Sequence, residues 1–528
     1  MERHGAETYF VIGEGLLGES LEGREDGDRK LARATAAVAP PFRFSRMGPK
    51  GTNRQLGQPL RLKLAAAMAA GGGGNGKIPA GYTYLGQFLD HDLTFDKTTV
   101  TLGTKISPTQ LLQGRSPALD LDSLYGAGPS DPESARFYEA DGLHLRMGKT
   151  VAAEGVASKH GFDLPRGSGS GAAAKRRAVI PDKRNDENLA VAQSHLAMIR
   201  FHNRVVDTLP ASVPAAQRFA TARALVTTHY QWMVRTDYLP RVCAKAVVDD
   251  VFKHGRKAFE VGAAPTDVPT MPIEFSVAAF RLGHSMVRRA YNWNSHFDDG
   301  AGTLDFLFTF TATSGDLAFE PHLLSSWIAD FRRLYDFKQA GRTDLAVPAA
   351  KFNRAMRIDT RLVVPLKNLP PGSFGGPAVP FDDPRGNLAF RNLARARMLT
   401  LATGQQMATF LKSKGASLTA LTKAQIRDGD GGVELDGLTG KQRDALLKDT
   451  PLWFYVLREA ELNDGRLNGV GARIVAETFH RAMQGSEFSI VRDTAFKPSL
   501  GPDNKTFRMA DLLLFAFEGK KSLLAPLG

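Results

Sequence analysis

The sequence predicts a mainly α-helical protein, and three observations support this fold class. The strongest helix signal covers residues 185–210, where apolar side chains recur at helical spacing at Leu189, Ala192, Leu196 and Ile199. Alternating apolar and polar patterns typical of strands are few and short. The 52 glycines and 29 prolines are spread through long connections, as expected of helices joined by long loops.

The N-terminal end of the strongest helix also carries the expected polar residues. Asn185 is a candidate N-cap, and Asp186 and Glu187 would lie in the first turn, where acidic side chains stabilise a helix. Weaker helical patterns predict six further helices, at 84–93, 214–236, 274–290, 320–336, 388–412 and 470–484.

Domain organisation follows less directly from the sequence. A length of 528 residues would suggest about two to four domains if length alone decided. Residues 1–40 are polar and read as an N-terminal arm, and residues 521–528 read as a C-terminal tail. Residues 145–178 are rich in Gly, Ala, Ser and Lys, which predicts an exposed insertion.

Charge and composition exclude several classes of protein. The net charge of +13 would suit anionic partners, but the basic residues are scattered and no basic run alternates with aromatics, so we expect no nucleic-acid partner. The single cysteine, Cys243, rules out an intramolecular disulfide and thiolate metal clusters. No window approaches the about 20 apolar residues of a membrane span, and no signal peptide is apparent. We therefore expect a soluble protein, either cytoplasmic or secreted without a recognisable signal peptide.

The segment Gly86–Asp92, GQFLDHD, places a histidine between two aspartates. Such a histidine is either part of a solvated turn or a base held among carboxylates. The segment resembles a motif of the animal-type, myeloperoxidase-like haem peroxidases. The resemblance implies that His91 is the distal base and that Gln87 lines the peroxide or halide site. It also implies that Asp90 can form an ester with a haem methyl and that Asp92 binds calcium.

A second segment, 116–126, resembles the calcium loop of the same family. Alternate residues of an extended loop can direct several oxygens at one Ca²⁺ ion. With Asp92, the implied ligands are Ser116, the carbonyl of Ala118, Asp120 and Asp122. The family usually has Thr at the position of Ser116 and Ser at the position of Asp122.

A third segment begins at Asp182 and leads into the strongest helix, and it resembles the family's Asp-x-Arg-x-x-Glu motif. The resemblance implies that Arg184 is the distal arginine, a fixed cation beside the peroxide. Glu187 would be the second carboxylate that forms a haem ester. Myeloperoxidase has a methionine next, which forms a sulfonium link; Asn188 stands there in this chain, so that link is impossible.

A fourth segment, Phe275–His284, resembles the family's Ala-Phe-Arg-x-Gly-His motif, which implies that His284 is the proximal iron ligand. Residues 387–397 resemble a later helix of the family, and they imply that Asn392 orients His284. Arg281 and Arg395 would pair with haem propionates.

Together the four motifs imply one large α-helical haem peroxidase domain over residues 41–520, which overrides the length argument for several domains. The implied cofactors are haem b, to which Asp90 and Glu187 can form ester links, and Ca²⁺. The implied activity is reduction of hydrogen peroxide and oxidation of a small organic donor or a halide through an oxo-ferryl intermediate, with a role in the response to oxidative stress.

Three other functions compete with this interpretation. A fatty-acid dioxygenase of the same superfamily would need a radical tyrosine, and the cyclooxygenase position, three residues before His284, holds Arg281. A catalase-like enzyme would use the same residues as a peroxidase. A non-enzymatic haem-binding or adhesion protein would not require both His91 and Arg184, and their joint presence favours an enzyme.

Overall fold

Helices carry the fold in the computed structural model, which describes residues 42–52, 56–98, 103–167, 170–370 and 379–528. This confirms the mainly helical class. The α-helices of eight or more residues are Gln58–Met68, Gly81–Leu93, Leu189–Thr208, Arg218–Met233, Lys245–His254, Leu388–Met398, Gly404–Ser413, Gly440–Lys448, Leu452–Glu461, Gly469–Gln484 and Met509–Ala516. The shorter ones are Asp122–Tyr125, Ala172–Arg176, Leu239–Val242, Ile273–Ser276, Gly283–Met286, Leu304–Thr309, Ala312–Gly315, Lys423–Asp428 and Lys521–Leu524.

Single turns of other helix types join these elements. A π-helix, Val234–Tyr238, continues the helix Arg218–Met233. The 3₁₀ turns are Pro108–Gln110, Ala135–Phe137, Lys183–Asp186, Ala215–Gln217, Ala279–Leu282, Asp316–Phe319, Ser325–Trp327, Phe331–Arg333, Phe337–Ala340, Thr343–Leu345, Ala349–Lys351, Val364–Lys367 and Pro384–Gly386.

Strands are short, as the sequence predicts, and within the described ranges they form four separate two-stranded sheets. The pairs are Phe44–Ser45 with Met271–Pro272 (parallel), Asn75–Pro79 with Arg354–Met356, Gly148–Lys149 with His160–Asp163, and Ala290–Tyr291 with Gly302–Thr303 (all three antiparallel).

The helix Leu189–Thr208 lies at the centre of the core, with sixteen of its residues buried. Three helices pack against it: Gly81–Leu93, Arg218–Met233 and Met509–Ala516. The polar side chains of a helix that is buried on nearly all sides cannot form hydrogen bonds with water, so they must find partners within the protein. Several of those polar residues contribute to the site described below.

This central helix begins later than predicted, because its N-cap is Asn188 and not Asn185. The Asn188 side chain accepts a hydrogen bond from the backbone N–H of Val191 at 3.0 Å. Residues Lys183–Asp186 form a separate 3₁₀ turn, capped by Asp182. The side chain of Asn185 is thereby released for a different role.

The predicted helix at 274–290 is broken into the three short turns Ile273–Ser276, Ala279–Leu282 and Gly283–Met286. Tertiary hydrogen bonds replace helical ones here. The side chain of Arg281 donates to the carbonyl of Ser276 at 2.7 Å, and the indole of Trp453 donates to the carbonyl of Arg281 at 3.2 Å.

The predicted helix at 320–336 is wrong, because the region holds only two 3₁₀ turns. Here too, side chains from elsewhere in the chain donate to the backbone carbonyls. The Asn294 amide donates to the carbonyls of Ser326 and Ile328, and the Trp293 indole donates to that of Trp327. The predicted helix at 388–412 is interrupted after Met398, near Thr400, which has a positive φ of 49°.

The ends and the insertion also differ in part from expectation. The arm at 1–40 lies outside the described residues. The segment 145–178 is largely exposed at 151–160 and 170–177, but residues 161–165 are buried. The tail at 521–528 begins with a helical turn whose Leu524 is fully buried. Among the described helices, none is both long enough and apolar enough to cross a bilayer.

Candidate functional site

A cavity opens between the helix Gly81–Leu93 and the turns around His284. Its space, including the opening to solvent, is about 960 Å³. Six residues predicted from the first, third and fourth motifs line it: Gln87, Asp90, His91, Glu187, Arg281 and His284. Segments almost 200 residues apart in sequence therefore meet at one cavity.

His91 lies on the helix Gly81–Leu93 and is 3% exposed. Its Nδ1 is 2.9 Å from Oδ1 of Asn185. Since a carbonyl oxygen only accepts, Nδ1 carries the proton and Nε2 holds a free lone pair. Burial and, next, the positive charge of Arg184 lower the pKa of His91 from 6.5 to about 3. The imidazole is therefore neutral at physiological pH.

Arg184 is buried directly behind His91. Its guanidinium donates to the carboxylate of Asp182 at 2.7 and 3.0 Å and to the backbone carbonyl of His91 at 2.9 Å. Arg115 binds the same carboxylate at 2.6 Å. Arg184 does not line the cavity, which differs from the predicted position of a cation beside the peroxide.

Gln87 links Glu187, one of the two carboxylates expected near a haem edge, to the N-cap of the central helix. Its amide nitrogen donates to Glu187, and its amide oxygen accepts from the side chain of Asn188 at 2.9 Å. Burial is the main cause that raises the pKa of Glu187 to about 8. Asp90 lies 3.4 Å from the guanidinium of Arg281.

His284 also lines the cavity, from the short turn Gly283–Met286. The amide nitrogen Nδ2 of Asn392 is 2.9 Å from its Nδ1. An iron-bound Nε2 requires a proton on Nδ1, so iron binding requires the Asn392 amide to be turned with its oxygen towards Nδ1. The structure thus brings together the pair that the fourth motif and the later helix imply.

The cationic residues are arranged differently from the prediction. Arg281 lines the cavity, as expected of a residue near a propionate. Arg395 does not line it, because its guanidinium is paired with the buried carboxylate of Asp96. Arg391, one turn earlier on the same helix, lines the cavity instead.

The sequence analysis missed several lining residues. Tyr238 reaches the cavity from the π-helix, a rare element that is common at functional sites. A Cβ atom at Gly86 would lie 2.4 Å from the Tyr238 hydroxyl, which explains the glycine in the first motif. The apolar wall is formed by Val287, Leu304, Phe308, Leu366, Leu369 and Leu388. Apart from Leu388, which belongs to the segment 387–397, these residues lie outside the motifs and no sequence signal indicated them.

The predicted calcium residues are also close together and buried. Asp92 accepts hydrogen bonds from the backbone N–H of Leu121 at 3.3 Å and from the hydroxyl of Ser123 at 3.0 Å. Burial, and then the nearby carboxylates of Asp120 and Asp122, raise the pKa of Asp92 well above its usual range.

The remaining predicted ligands bind one another. The Ser116 hydroxyl donates to Asp120 at 3.3 Å, and the carbonyl of Ala118 accepts from the N–H of Asp120 at 3.0 Å. Within the described ranges, no group of three or more acidic, histidine or cysteine side chains is arranged as a metal site. The carboxylates are therefore assembled but not held in a coordination geometry.

The chemistry of the cavity fits a haem. Asp90 Oδ1 and Glu187 Oε2 are buried and have no hydrogen-bond partner within the part of the chain that the structure describes. Buried carboxylate oxygens normally have partners, so a group not made by the chain is expected against them. Two histidines and several apolar side chains also line the cavity.

Comparison with known proteins gives the same assignment. Residues 77–317 match the family model of animal haem peroxidases. Thyroid peroxidase of Rattus norvegicus is 28% identical over 203 residues, which cover 37% of this chain and 21% of that protein. Heme peroxidase 2 of Caenorhabditis elegans is 24% identical over 179 residues, or 32% of this chain and 23% of that protein. The chain thus spans about a fifth of the length of these curated relatives.

Solved structures extend the similarity to nearly the whole chain. Peroxidase A from Dictyostelium discoideum has a TM-score of 0.58 at 15% identity, and the match covers 92% of this chain and 94% of that one. A fatty acid alpha-dioxygenase from Arabidopsis thaliana has a TM-score of 0.53 at 11% identity, with coverage of 98% and 84%. At these identities the similarity shows a shared fold.

Proposed function

We propose that this chain, whose residues 77–317 match the animal haem peroxidase family model, binds haem b between His91 and His284 and reduces hydrogen peroxide, oxidising a small organic donor or a halide. One observation carries the proposal. A neutral histidine with a free Nε2 and a histidine with an amide at Nδ1 line the same cavity.

On the proximal side, Nε2 of His284 would hold the haem iron. Asn392 holds the ring by its Nδ1, which fixes the plane of the imidazole and increases its donor strength. Arg281 and Arg391 line the cavity and would meet the haem propionates. When bound, the haem supplies the redox chemistry that the side chains lack.

On the distal side, Nε2 of His91 would take a proton from one oxygen of hydrogen peroxide and return it to the oxygen that leaves as water, while the bound haem would supply the two electrons that cleavage of the O–O bond requires. A base for this step must be unprotonated, and burial of His91 next to Arg184 keeps it so at physiological pH. Gln87 lines the same side and can orient the peroxide by hydrogen bonding.

We assign Arg184 a role that acts through His91. Its guanidinium donates to the backbone carbonyl of His91 and forms an ion pair with Asp182, which balances part of its charge. The guanidinium still contributes positive potential from behind the imidazole. That potential opposes protonation of His91 and favours negative charge on the peroxide. The earlier assignment of Arg184 as a direct contact of the peroxide would require its side chain to turn towards the cavity.

We also propose that one Ca²⁺ ion binds at Asp92 with Asp120, Asp122, Ser116 and the carbonyl of Ala118. Carboxylate and carbonyl oxygens are the ligands that Ca²⁺ prefers, and the negative charge of buried carboxylates at this point favours a cation. Since Asp92 follows His91 directly, the ion would also anchor the distal helix.

Haem loading of the purified protein tests the proposal. We expect a Soret band in the wild type, peroxide-dependent oxidation of a phenolic donor, and loss of stable haem binding in His284→Ala. His254→Ala, which alters an exposed histidine outside the cavity, is the matched control and should load haem normally. Full haem binding by His284→Ala with an unchanged spectrum would overturn the assignment.

A further inference from the structure

A chain of three polar side chains runs behind the distal histidine. Oδ1 of Asn185 is 2.9 Å from Nδ1 of His91, and Nδ2 of Asn185 is 3.0 Å from Nδ1 of His195. His91, Asn185 and His195 are 3%, 0% and 0% exposed. The chain joins the helix Gly81–Leu93, the turn Lys183–Asp186 and the central helix.

We propose that Asn185 and His195 are positioning residues that set the tautomer of His91. An asparagine amide has one accepting and one donating end, so its orientation decides which nitrogen of His91 carries the proton. In the observed orientation the accepting end faces His91, and the free lone pair lies at Nε2. The reverse orientation would place the donating end against Nδ1 and leave a proton at Nε2, where no base would remain.

His195 is the residue that distinguishes the two orientations. Its Nδ1 contacts the donating end of the amide, and its Nε2 has no hydrogen-bond partner in the described part of the chain. The ring is held otherwise by apolar packing, with Phe88 at a centroid distance of 5.7 Å. The proposal places the lone pair of His195 at Nδ1, where it accepts from Nδ2 of Asn185 and orients the amide, and the amide in turn orients the proton of His91.

The expected effect on the rate of reaction with peroxide rests on the proposed function, whereas the expected tautomer of His91 does not. It also explains why the predicted N-cap does not cap the central helix. Asn188 performs that function, so the amide of Asn185 is available to His91.

We call the chain His91–Asn185–His195 the relay, and two measurements test it. The first is the tautomer of His91, measured by ¹⁵N NMR in histidine-labelled, haem-loaded protein with ferrous haem and carbon monoxide. The second is the rate of reaction with hydrogen peroxide. In the wild type we expect a protonated Nδ1. Asn185→Leu and His195→Phe should each populate a protonated Nε2 and slow the peroxide reaction by about tenfold or more, part of the 10²–10⁴-fold that acid–base assistance contributes.

A double variant separates orientation from packing. Both oxygens of a carboxylate accept, so Asn185→Asp needs no orienting partner and should restore the protonated Nδ1 and the rate in the His195→Phe background. His195→Gln, which retains an acceptor, should remain close to the wild type and serves if His195→Phe does not fold. His202→Phe, which removes another buried histidine of the same helix, is the matched control and should change neither readout.

An unchanged His91 tautomer in His195→Phe, or a double variant as slow as His195→Phe alone, would overturn the relay. A wild type that fails to react with peroxide would contradict the proposed function instead. The NMR measurement then still decides the relay, since loss of the protonated Nδ1 in His195→Phe supports it and retention overturns it.

Discussion

The amide of Asn392 lies 2.9 Å from Nδ1 of His284, although 108 residues separate the two in sequence. Partners of metal-bound histidines typically contribute about 10–100-fold to metal affinity. We therefore expect Asn392→Ala to bind haem about 10–100-fold more weakly and to shift the spectrum towards a weaker axial donor. Titration of the haem-free protein with haem measures this directly.

Asn387 provides the matched control because it caps the same helix and accepts from the N–H groups of Ala389 and Phe390. Asn387→Ala should lower stability by about 1 kcal/mol, as loss of an N-cap does, with little change in haem affinity. Equal losses of affinity in both variants would mean that Asn392 acts only through the stability of its helix.

Sequence motifs located most of the site, because each motif is a contiguous segment whose local structure places the functional side chain. His91 and His284 line the cavity, and Asn392 contacts His284 from behind. Arg184 and Arg395 do not line it, because each has a buried acidic partner, Asp182 and Asp96. Asp182 lies in the same motif as Arg184, whereas Asp96 is 299 residues from Arg395 and no local pattern indicates it.

Partners that are distant in sequence also limit how well the fold can be predicted. The helix Gly469–Gln484 matches its prediction within one residue, since its apolar pattern and its packing agree. The predicted helices at 274–290 and 320–336 failed because tertiary donors such as Trp453 and Asn294 take carbonyls that a helix would use. Such partners are distant in sequence, so periodicity cannot predict them.

Covalent attachment of haem is the second prediction. Asp90 and Glu187 line the cavity with buried oxygens that have no hydrogen-bond partner in the described ranges. We expect ester bonds to haem methyls to form at least in part after a few equivalents of hydrogen peroxide. Mass spectrometry after acid–ketone extraction should find two links at most, since Asn188 cannot form a sulfonium, and the strongly red-shifted spectrum of that link should be absent.

Glu187→Gln should remove one link and the pair with Asp90→Asn should remove both. Haem that extracts completely from peroxide-treated wild type would reject the ester assignment and leave the peroxidase proposal intact.

The raised pKa of Glu187 predicts how stability depends on pH in the haem-free protein. The folded pKa of about 8 lies above the ordinary 4.5, so folding favours the protonated acid. The stabilisation is complete below pH 4.5 and is lost as the pH rises through 8. One pKa unit corresponds to about 1.4 kcal/mol, so the effect should reach a few kcal/mol.

Glu187→Gln cannot ionise and keeps an acceptor for Gln87. Denaturant unfolding should therefore show this variant gaining stability over the wild type between pH 5 and pH 8. Glu434→Gln, at a side chain that is 80% exposed, should show no such trend. Parallel pH profiles for the wild type and Glu187→Gln would contradict a buried, protonated Glu187.

Calcium removal is the fourth prediction. Chelation should release one Ca²⁺ per chain and lower the melting temperature, because a ligand at 100 times its Kd stabilises by about 2.7 kcal/mol. Asp122→Asn should lower the calcium content and the stability, whereas Asp344→Asn, at an exposed ion pair, should do neither. Carefully prepared protein without calcium, and with activity unaffected by chelator, would contradict the site.

The most direct test of the account is stopped-flow mixing of haem-loaded protein with hydrogen peroxide, comparing the wild type with His91→Ala. His91 is buried, neutral and directed into the cavity by Asn185, so it should supply the acid–base assistance worth about 10²–10⁴-fold. The account predicts that His91→Ala retains haem and reacts more slowly by a factor in that range. A variant that reacts with peroxide at nearly the wild-type rate would show that another group is the base.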